Sequence, residues 1–259
     1  MEAGTPELGR LLDAALRWAR EAGVITLHHF GTSLSSDTKG DGTPVTIADR
    51  TAETLLRQKI ATEYPDHGIL GEEFGETNPG ARIRWILDPI DGTRSFVRGV
   101  PIYGVLIGVE VDGVPAVGVA HFPALRETVG AARGHGCLWN GRPAQVSSIQ
   151  TLSEAAALTT DPVELLEGPI AQGWEALVRA TSLARTWGDC YGHILVATGR
   201  AEVMIDPVLS PWDAAPFVPI LEEAGGRFTD LTGVPRLDGG SGISTNGLLH
   251  DQVLRLLQP

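Results

Sequence analysis

The chain has 259 residues, 42% of them hydrophobic, enough to bury a core as one large domain or two closely joined halves, which excludes disorder as its resting state. Its 20 Lys and Arg stand against 32 Asp and Glu, and the formal charge of −12 argues against nucleic acid as the main partner. The longest apolar run, 100–109, contains a Pro and two Gly and falls short of the ~18 residues of a membrane span; with no signal-peptide pattern, and no zinc-type spacing around Cys137 and Cys190, a cytoplasmic setting without membrane contact is expected.

Thr5 as N-cap and Pro6 at the first helical position open an amphipathic helix in which Leu8, Leu11, Leu12, Ala15, Leu16 and Ala19 recur up to about Ala22. A Gly-, Ser-, Thr- and Asp-rich loop covers 31–44. A second helix is expected from near Thr46 through Ala52, Leu55, Leu56 and Ile60 to Pro65, with Asp49 in its first turn. Ile83, Trp85 and Leu87 then alternate against Arg84, Ile86 and Asp88, which predicts a strand that ends at Asp88. Residues 103–111 and 114–122 read as strands joined by Asp112-Gly113, and Asn140-Gly141 marks a further hairpin. The first half, 1–145, is thus expected to be helices on a mostly antiparallel sheet.

The second half, 146–259, alternates in the manner of an α/β unit. Strands are expected at 155–158, 183–187, 201–205, 227–229 and 242–244, and helices at 174–180, 191–198, after Trp212 and at 248–257. Pro219 falls inside the presumed helix 214–224, where an interior proline costs roughly 3 kcal/mol, so the first turns of that helix are in question.

Carboxylates gather where turns meet regular structure: Glu72-Glu73 after Gly71, Asp88 and Asp91 around Pro89-Ile90, Asp213 after Trp212, and Asp49. Hard oxygen ligands of this kind suit Mg²⁺. In Asp88-Pro89-Ile90-Asp91-Gly92-Thr93, a turn stiffened by Pro89 would bring both carboxylates and the Ile90 carbonyl toward one point, and the Gly92 and Thr93 amides would seat a phosphate oxygen. Each piece has an ordinary alternative. Asp49 and Asp213 read equally as helix N-terminal residues, Asp91-Gly92 as a turn, and Glu72-Glu73 as a solvated pair.

Taken together, Gly71-Glu72-Glu73, Trp85-Ile86-Leu87-Asp88-Pro89-Ile90-Asp91-Gly92-Thr93 and Trp212-Asp213-Ala214-Ala215 with Glu223-Ala224-Gly225-Gly226 resemble the inositol monophosphatase family over nearly the whole chain. The resemblance implies a layered αβαβα sandwich, a homodimer, and a Mg²⁺-dependent phosphomonoesterase acting on a phosphorylated small molecule. Glu72, Asp88 and the Ile90 carbonyl would hold one Mg²⁺; Asp88, Asp91 and Asp213 a second; Glu72, helped by Glu73, a third. Asp49 and Thr93 would orient and deprotonate the attacking water, with Glu72 also counted in the catalytic group. Asp91, Gly92, Thr93 and Asp213 would touch the bound ester. Lys39 reads either as a group near the third metal or as a surface lysine.

For the substrate, two acids draw attention: Asp189, after Trp187-Gly188, and Asp206, seven residues before Asp213. Two carboxylates near the leaving group suit a substrate with an amine, because a buried carboxylate without a partner is costly. With Ser95-Phe96-Val97-Arg98-Gly99-Val100-Pro101, these features resemble the histidinol-phosphatase branch, and inositol 1-phosphate or another small sugar phosphate is the alternative substrate. Arg185 reads either as a substrate contact or as part of a salt bridge. Asp189 reads also as the N-cap of the following helix. His193 and the pair His28-His29 are read as packing or surface residues. A non-catalytic regulator that binds a partner protein or RNA would be expected to have damaged metal ligands or a basic face, and neither stands in this sequence.

Overall fold

The computed structural model describes residues 5–32, 37–38 and 44–258, and the reading of Lys39 lies outside them. The opening helix, α1 (Thr5–His29), runs beyond the expected end near Ala22. Gly23, which reads as a stop, instead lies inside the helix where a Cβ would meet the His121 ring at 2.7 Å, and the buried Thr26 hydroxyl is satisfied by the Gly23 carbonyl at 3.0 Å and lies 3.3 Å from the Tyr103 hydroxyl. After a two-stranded ribbon, β1 (Asp37–Thr38) and β2 (Pro44–Val45), comes α2 (Ile47–Glu63), which starts where expected and is capped by Thr46.

Eight strands make the first sheet: β3 (Gly68–Gly71), β4 (Gly75–Thr77), β5 (Ile83–Asp91), β6 (Gly104–Val111), β7 (Val114–Phe122), β8 (Glu127–Ala132), β9 (Cys137–Trp139) and β10 (Arg142–Pro143). Their order is β10-β9-β8-β7-β6-β5-β3-β4, antiparallel except for the parallel pair β3 and β5. Both expected hairpins form, and Asp112, Gly113, Asn140 and Gly141 all have positive φ, as two-residue turns of this hand require. The strand expected to end at Asp88 instead continues to Asp91 through a register shift, so Pro89-Ile90 is a bulge within β5 and not a turn after it.

The second sheet has the order β12-β11-β13-β15-β14, built from β11 (Ala156–Thr159), β12 (Leu183–Arg185), β13 (Val203–Asp206), β14 (Arg227–Thr229) and β15 (Gly242–Thr245). β11 runs parallel to both neighbours and the remaining pairs are antiparallel. Around these strands lie the helices α3 (Thr93–Val97), α4 (Pro162–Glu167), α5 (Ala171–Ala180), α6 (Cys190–Ala197), α7 (Pro211–Ala214), α8 (Phe217–Glu223) and α9 (His250–Leu257).

The period-two alternation of side chains sorts the core into layers. Val105, Ile107 and Val109 of β6 pack with Leu11, Trp18, Leu56 and Ile60 of α1 and α2, while Leu106 faces the other way, toward Ile194 of α6 and Ile220 of α8. Met204 of β13 joins that middle cluster, whereas its neighbours Val203 and Ile205 pack with Trp174 of α5 and Val253 of α9. Helices, sheet, helices, sheet and helices therefore succeed one another in the layered αβαβα arrangement.

Two glycines position the 211–217 segment. Gly108 and Gly118 face each other across β6 and β7; a Cβ on Gly108 would meet Ala215 Cβ at 2.5 Å, and one on Gly118 the Pro216 carbonyl oxygen at 2.0 Å. Pro219 proves harmless: the segment breaks between α7 and α8, and Pro219 lands in the first turn of α8, where an N–H would have no intrahelical acceptor.

Candidate active site

The bulge in β5 turns consecutive acids toward one volume. Asp88 Oδ1 accepts the Ile90 N–H at 2.9 Å, and Asp91 Oδ2 accepts the Cys190 N–H, at the start of α6, at 2.6 Å. Asp213 stands three residues after the N-cap of α7 and accepts the Ser210 N–H at 2.8 Å. An oxygen of each of Asp88, Asp91 and Asp213 lies within 4.8 Å of the others. Burial, then the charges of Glu72, Asp91 and Asp213, push Asp88 well above the usual carboxylate range; burial, then Asp189 and Asp213, do the same to Asp91. Asp213 is pushed up to about 7, first by burial. Acids that repel one another in this way ionise together only if a cation joins them.

Glu72 lines the same cleft as Asp88, Asp91, Asp213, Gly92 and Thr93, and its N–H donates to the Leu87 carbonyl at 3.1 Å. Glu73 is outside that lining, its N–H donating to Glu53 Oε2 at 2.8 Å. The Ile90 carbonyl accepts the Thr93 hydroxyl at 3.0 Å. Gly92 takes φ 79°, a left-handed conformation that suits glycine, just before α3.

Asp49 fills the N3 position of the α2 capping box and is fully buried. Its Oδ2 takes the Thr46 N–H at 2.8 Å and the Thr46 hydroxyl at 2.6 Å, whereas Oδ1 has no hydrogen-bond partner among the described residues. Burial raises its pKa, and the charge of Glu72 adds to the rise. The capping and site readings of Asp49 and Asp213 thus describe one geometry: one oxygen caps the helix, and the rest of the carboxylate is held for other use. An all-oxygen donor set, mutually repelling buried acids and an unpaired buried oxygen together fit a hard divalent cation.

A second cavity adjoins this cleft and shares Asp91, Asp189, Val208 and Asp213 with it. Asp189 occupies the cap position of α6 but makes no capping bond, so that reading is corrected. Its backbone is held at φ 50°, ψ −159°, its N–H donates to Thr160 Oγ1 at 2.8 Å, and its Oδ2 accepts the Ser95 hydroxyl at 3.0 Å. A Cβ on Gly92 would lie 3.0 Å from that same Oδ2, which places the carboxylate beside the glycine turn.

Asp206 is 3% exposed; Oδ1 accepts the Thr160 N–H at 3.2 Å and Oδ2 lies 3.2 Å from His193 Nε2. His193 Nδ1 is in turn 2.7 Å from Ser244 Oγ, and its ring stacks on Phe217 at 4.6 Å. His193 is therefore a packing residue, as expected, with a polar task besides. Arg185 is not brought to the cavity: it is exposed on β12, at the sheet edge, and donates to the Ala184 carbonyl at 2.7 Å. Sequence reasoning missed Glu53 and Thr160. For Glu53 a signal existed, a Glu–Arg pair four residues apart, in line with Asp49 and beside the apolar Ala52, Leu56 and Ile60; for Thr160 none did.

Residues 7–258 match the model of the inositol monophosphatase family. A histidinol-phosphatase of Chlorobaculum parvum is 50% identical over 90% of this chain and 90% of its own, and a histidinol-phosphatase of Mycobacterium tuberculosis is 41% identical over 94% and 96%. The solved inositol monophosphatase of Anabaena superposes with a TM-score of 0.84 at 32% identity, covering 96% of each chain. Among the described residues no helix is long and apolar enough to cross a membrane. With the acidic cleft, the layered sandwich and these likenesses in place, the chain belongs to the inositol monophosphatase family and is a phosphatase.

Proposed function

We propose that the protein is a Mg²⁺-dependent histidinol-phosphate phosphatase, converting L-histidinol phosphate and water to L-histidinol and phosphate. One observation carries the choice of substrate: the cavity beside the metal cleft is lined by Asp189, Asp206 and Glu164, and no Lys or Arg stands among the described residues that line it. Acids gathered in this way select an ammonium-bearing leaving group and penalise an uncharged sugar, which would strip them of water without pairing them. The relatives named histidinol-phosphatase support the same choice.

In this reading residues 1–145 carry most of the metal ligands, and 146–259 carry Asp213 and the specificity residues. Glu72, Asp88, Asp91, Asp213 and the Ile90 carbonyl would hold two Mg²⁺, with Glu72 and Glu73 serving a third. Bound there, the ions would neutralise the phosphate oxygens and the departing alkoxide and make water more acidic. The protein does the remainder. The Gly92 and Thr93 amides seat the phosphate, the Thr93 hydroxyl orients the attacking water opposite the ester oxygen, and Asp49 takes its proton. Asp49 suits that role because Thr46 fixes one carboxylate oxygen and burial raises the affinity of the other for a proton. No side chain needs to act as a nucleophile. A homodimer working in the cytoplasm completes the reading, and light scattering tests the assembly.

The deciding experiment is phosphate release with Mg²⁺ from histidinol phosphate and inositol 1-phosphate side by side. The expected result is a higher kcat/KM for histidinol phosphate, selectively lost in Asp189→Ala. Faster release from inositol 1-phosphate, or equal losses on both substrates in the variant, would overturn the choice of substrate.

A further inference from the structure

Glu53 sits one turn beyond Asp49 on α2, and Arg57 one turn beyond Glu53, so three charged side chains share one face of that helix. Asp49 belongs to the metal end. The other two reach elsewhere. Glu53 is fully buried, with Oε2 accepting the Glu73 N–H at 2.8 Å and Oε1 accepting the Phe74 N–H at 3.2 Å and Arg57 Nε at 2.7 Å. Arg57 gives its remaining donors to the same hairpin, Nη2 to the Gly75 carbonyl and Nη1 to Thr77 Oγ1 at 3.1 Å, and its guanidinium lies over the Phe74 ring, 5.9 Å from the centroid. Gly71 completes the fit, since a Cβ there would lie 2.1 Å from Glu53 Oε1.

The hairpin so clamped, β3 to β4, carries Glu72 and lies at the edge of its sheet, with β4 exposed throughout. Asp88 and Asp91 lie within the sheet on β5, and Asp213 is followed by Ala215 and Pro216, which seat against Gly108 and Gly118. Glu72 follows the end of β3, where its N–H donates to the Leu87 carbonyl of β5, and the turn beyond it is tied down by α2.

We propose that Glu53, locked by Arg57, is a positioning residue for metal binding: it fixes the turn after Gly71 so that Glu72 meets Asp88, Asp91 and Asp213. A carboxylate suits this role because both of its oxygens accept, and the turn presents successive N–H donors together with a guanidinium. A glutamine would turn an NH₂ toward one of those donors. An aliphatic side chain would leave them all unpaired.

The test titrates Mg²⁺ by calorimetry into metal-free wild type, Glu53→Gln and Arg57→Lys, and follows phosphate release against Mg²⁺ in parallel. Glu53→Gln is expected to bind Mg²⁺ about tenfold to a hundredfold more weakly, the usual effect of losing a group that holds a metal ligand, with kcat recovering at saturating Mg²⁺. Arg57→Lys keeps the charge but loses the planar fork, and is expected to fall between the two. Unchanged Mg²⁺ affinity in both variants would overturn the proposal, as would a fall in kcat that saturating Mg²⁺ does not repair. If Glu53→Gln fails to fold, Arg57→Lys decides by the same readouts. Calorimetry needs no substrate, so a wrong choice of substrate leaves the test intact, whereas a wild type that binds no Mg²⁺ sinks the metal reading and this proposal together.

Discussion

At the metal end of the cleft, Asp88, Asp91 and Asp213 each give an oxygen to a backbone N–H and crowd within 4.8 Å of one another, so their charges oppose each other. In the adjoining cavity Asp206 is engaged by the protein itself, whereas Asp189 is raised above the usual carboxylate range by burial and then, against its Ser95 hydrogen bond, by the charge of Asp206. Asp206 has Thr160 on one oxygen and His193 on the other, and Asp189 has Ser95. The same residue type is thus installed at Asp88, Asp91 and Asp213 to be completed by a cation, at Asp206 as a finished wall, and at Asp189 between the two, held by Ser95 yet still short of an ion-pair partner among the described residues. The first arrangement stores electrostatic repulsion that a metal relieves, and the Asp206 network contributes to stability without help.

Asp91→Asn should break that contrast most visibly. If Asp91 holds a metal as proposed, its loss removes several kcal/mol of transition-state stabilisation, about a thousandfold in phosphate release. The same variant, freed of metal by chelation, should melt above the chelated wild type, because one of three opposed buried charges is gone. A lower melting temperature for chelated Asp91→Asn would mean that the cluster is held by its hydrogen bonds and not strained by its charges.

Metal removal probes the same point in the wild type. Mg²⁺ at a hundredfold its Kd should add about 2.7 kcal/mol of stability by mass action. That increment should grow with pH, for a reason whose sign is fixed. Asp213 has its folded pKa raised from 3.8 to about 7, so between those values the metal-free folded state binds more protons than the unfolded state and loses stability as pH rises. His121 and His250, pushed down to about 4 by burial, act oppositely, since they favour the folded state above 6.5 and cost stability as pH falls toward 4. Their effect is common to both forms and cancels in the difference between Mg²⁺-loaded and chelated protein. Melting both forms from pH 5 to 8 isolates the carboxylate contribution, and a Mg²⁺ increment that shrinks with pH would contradict it.

For the second cavity the expected sign reverses. Asp206→Ala removes the acceptor of the Thr160 N–H and the partner of the buried His193 Nε2 and should lower stability by about 1–3 kcal/mol, with or without Mg²⁺. Differential scanning calorimetry on both forms checks this, and a variant as stable as wild type would remove the distinction between the two sets of acids.

How far each end can be read from sequence follows the same division. The acidic cleft is legible because its carboxylates come with local reasons to be where they are: Asp88 and Asp91 share one short segment, and Asp49 and Asp213 each follow a Thr or Ser by three residues at a helix start. What periodicity cannot tell is that Pro89-Ile90 bulges within a strand, since that depends on β6 continuing to pair on the far side, at Gly104. The parallel pairing of β3 with β5 is hidden for the same reason. The second cavity is assembled from partners far apart in sequence. Ser95 meets Asp189 across 94 residues, Thr160 meets Asp206 across 46, and His193 meets Ser244 across 51. Asp189 and Asp206 could be singled out by their chemistry, but nothing local marks Thr160 or His193 as the groups that hold them.

The smallest expected effect is the most discriminating, because Ser95 belongs to both ends. Its hydroxyl donates to Asp189, while its backbone lies in α3, two residues after Thr93. If the hydroxyl serves only to aim Asp189, Ser95→Ala should raise KM for histidinol phosphate about fivefold, the worth of roughly 1 kcal/mol for one hydrogen bond, and leave kcat and the kinetics on inositol 1-phosphate alone. If α3 relaxes instead and disturbs the Gly92-Thr93 seat, kcat should fall on both substrates together, since the phosphate is common to them. Steady-state kinetics on the two esters separates these outcomes. The second would show that the wall around the leaving group and the seat for the phosphate are one mechanical unit, joined through a single five-residue helix.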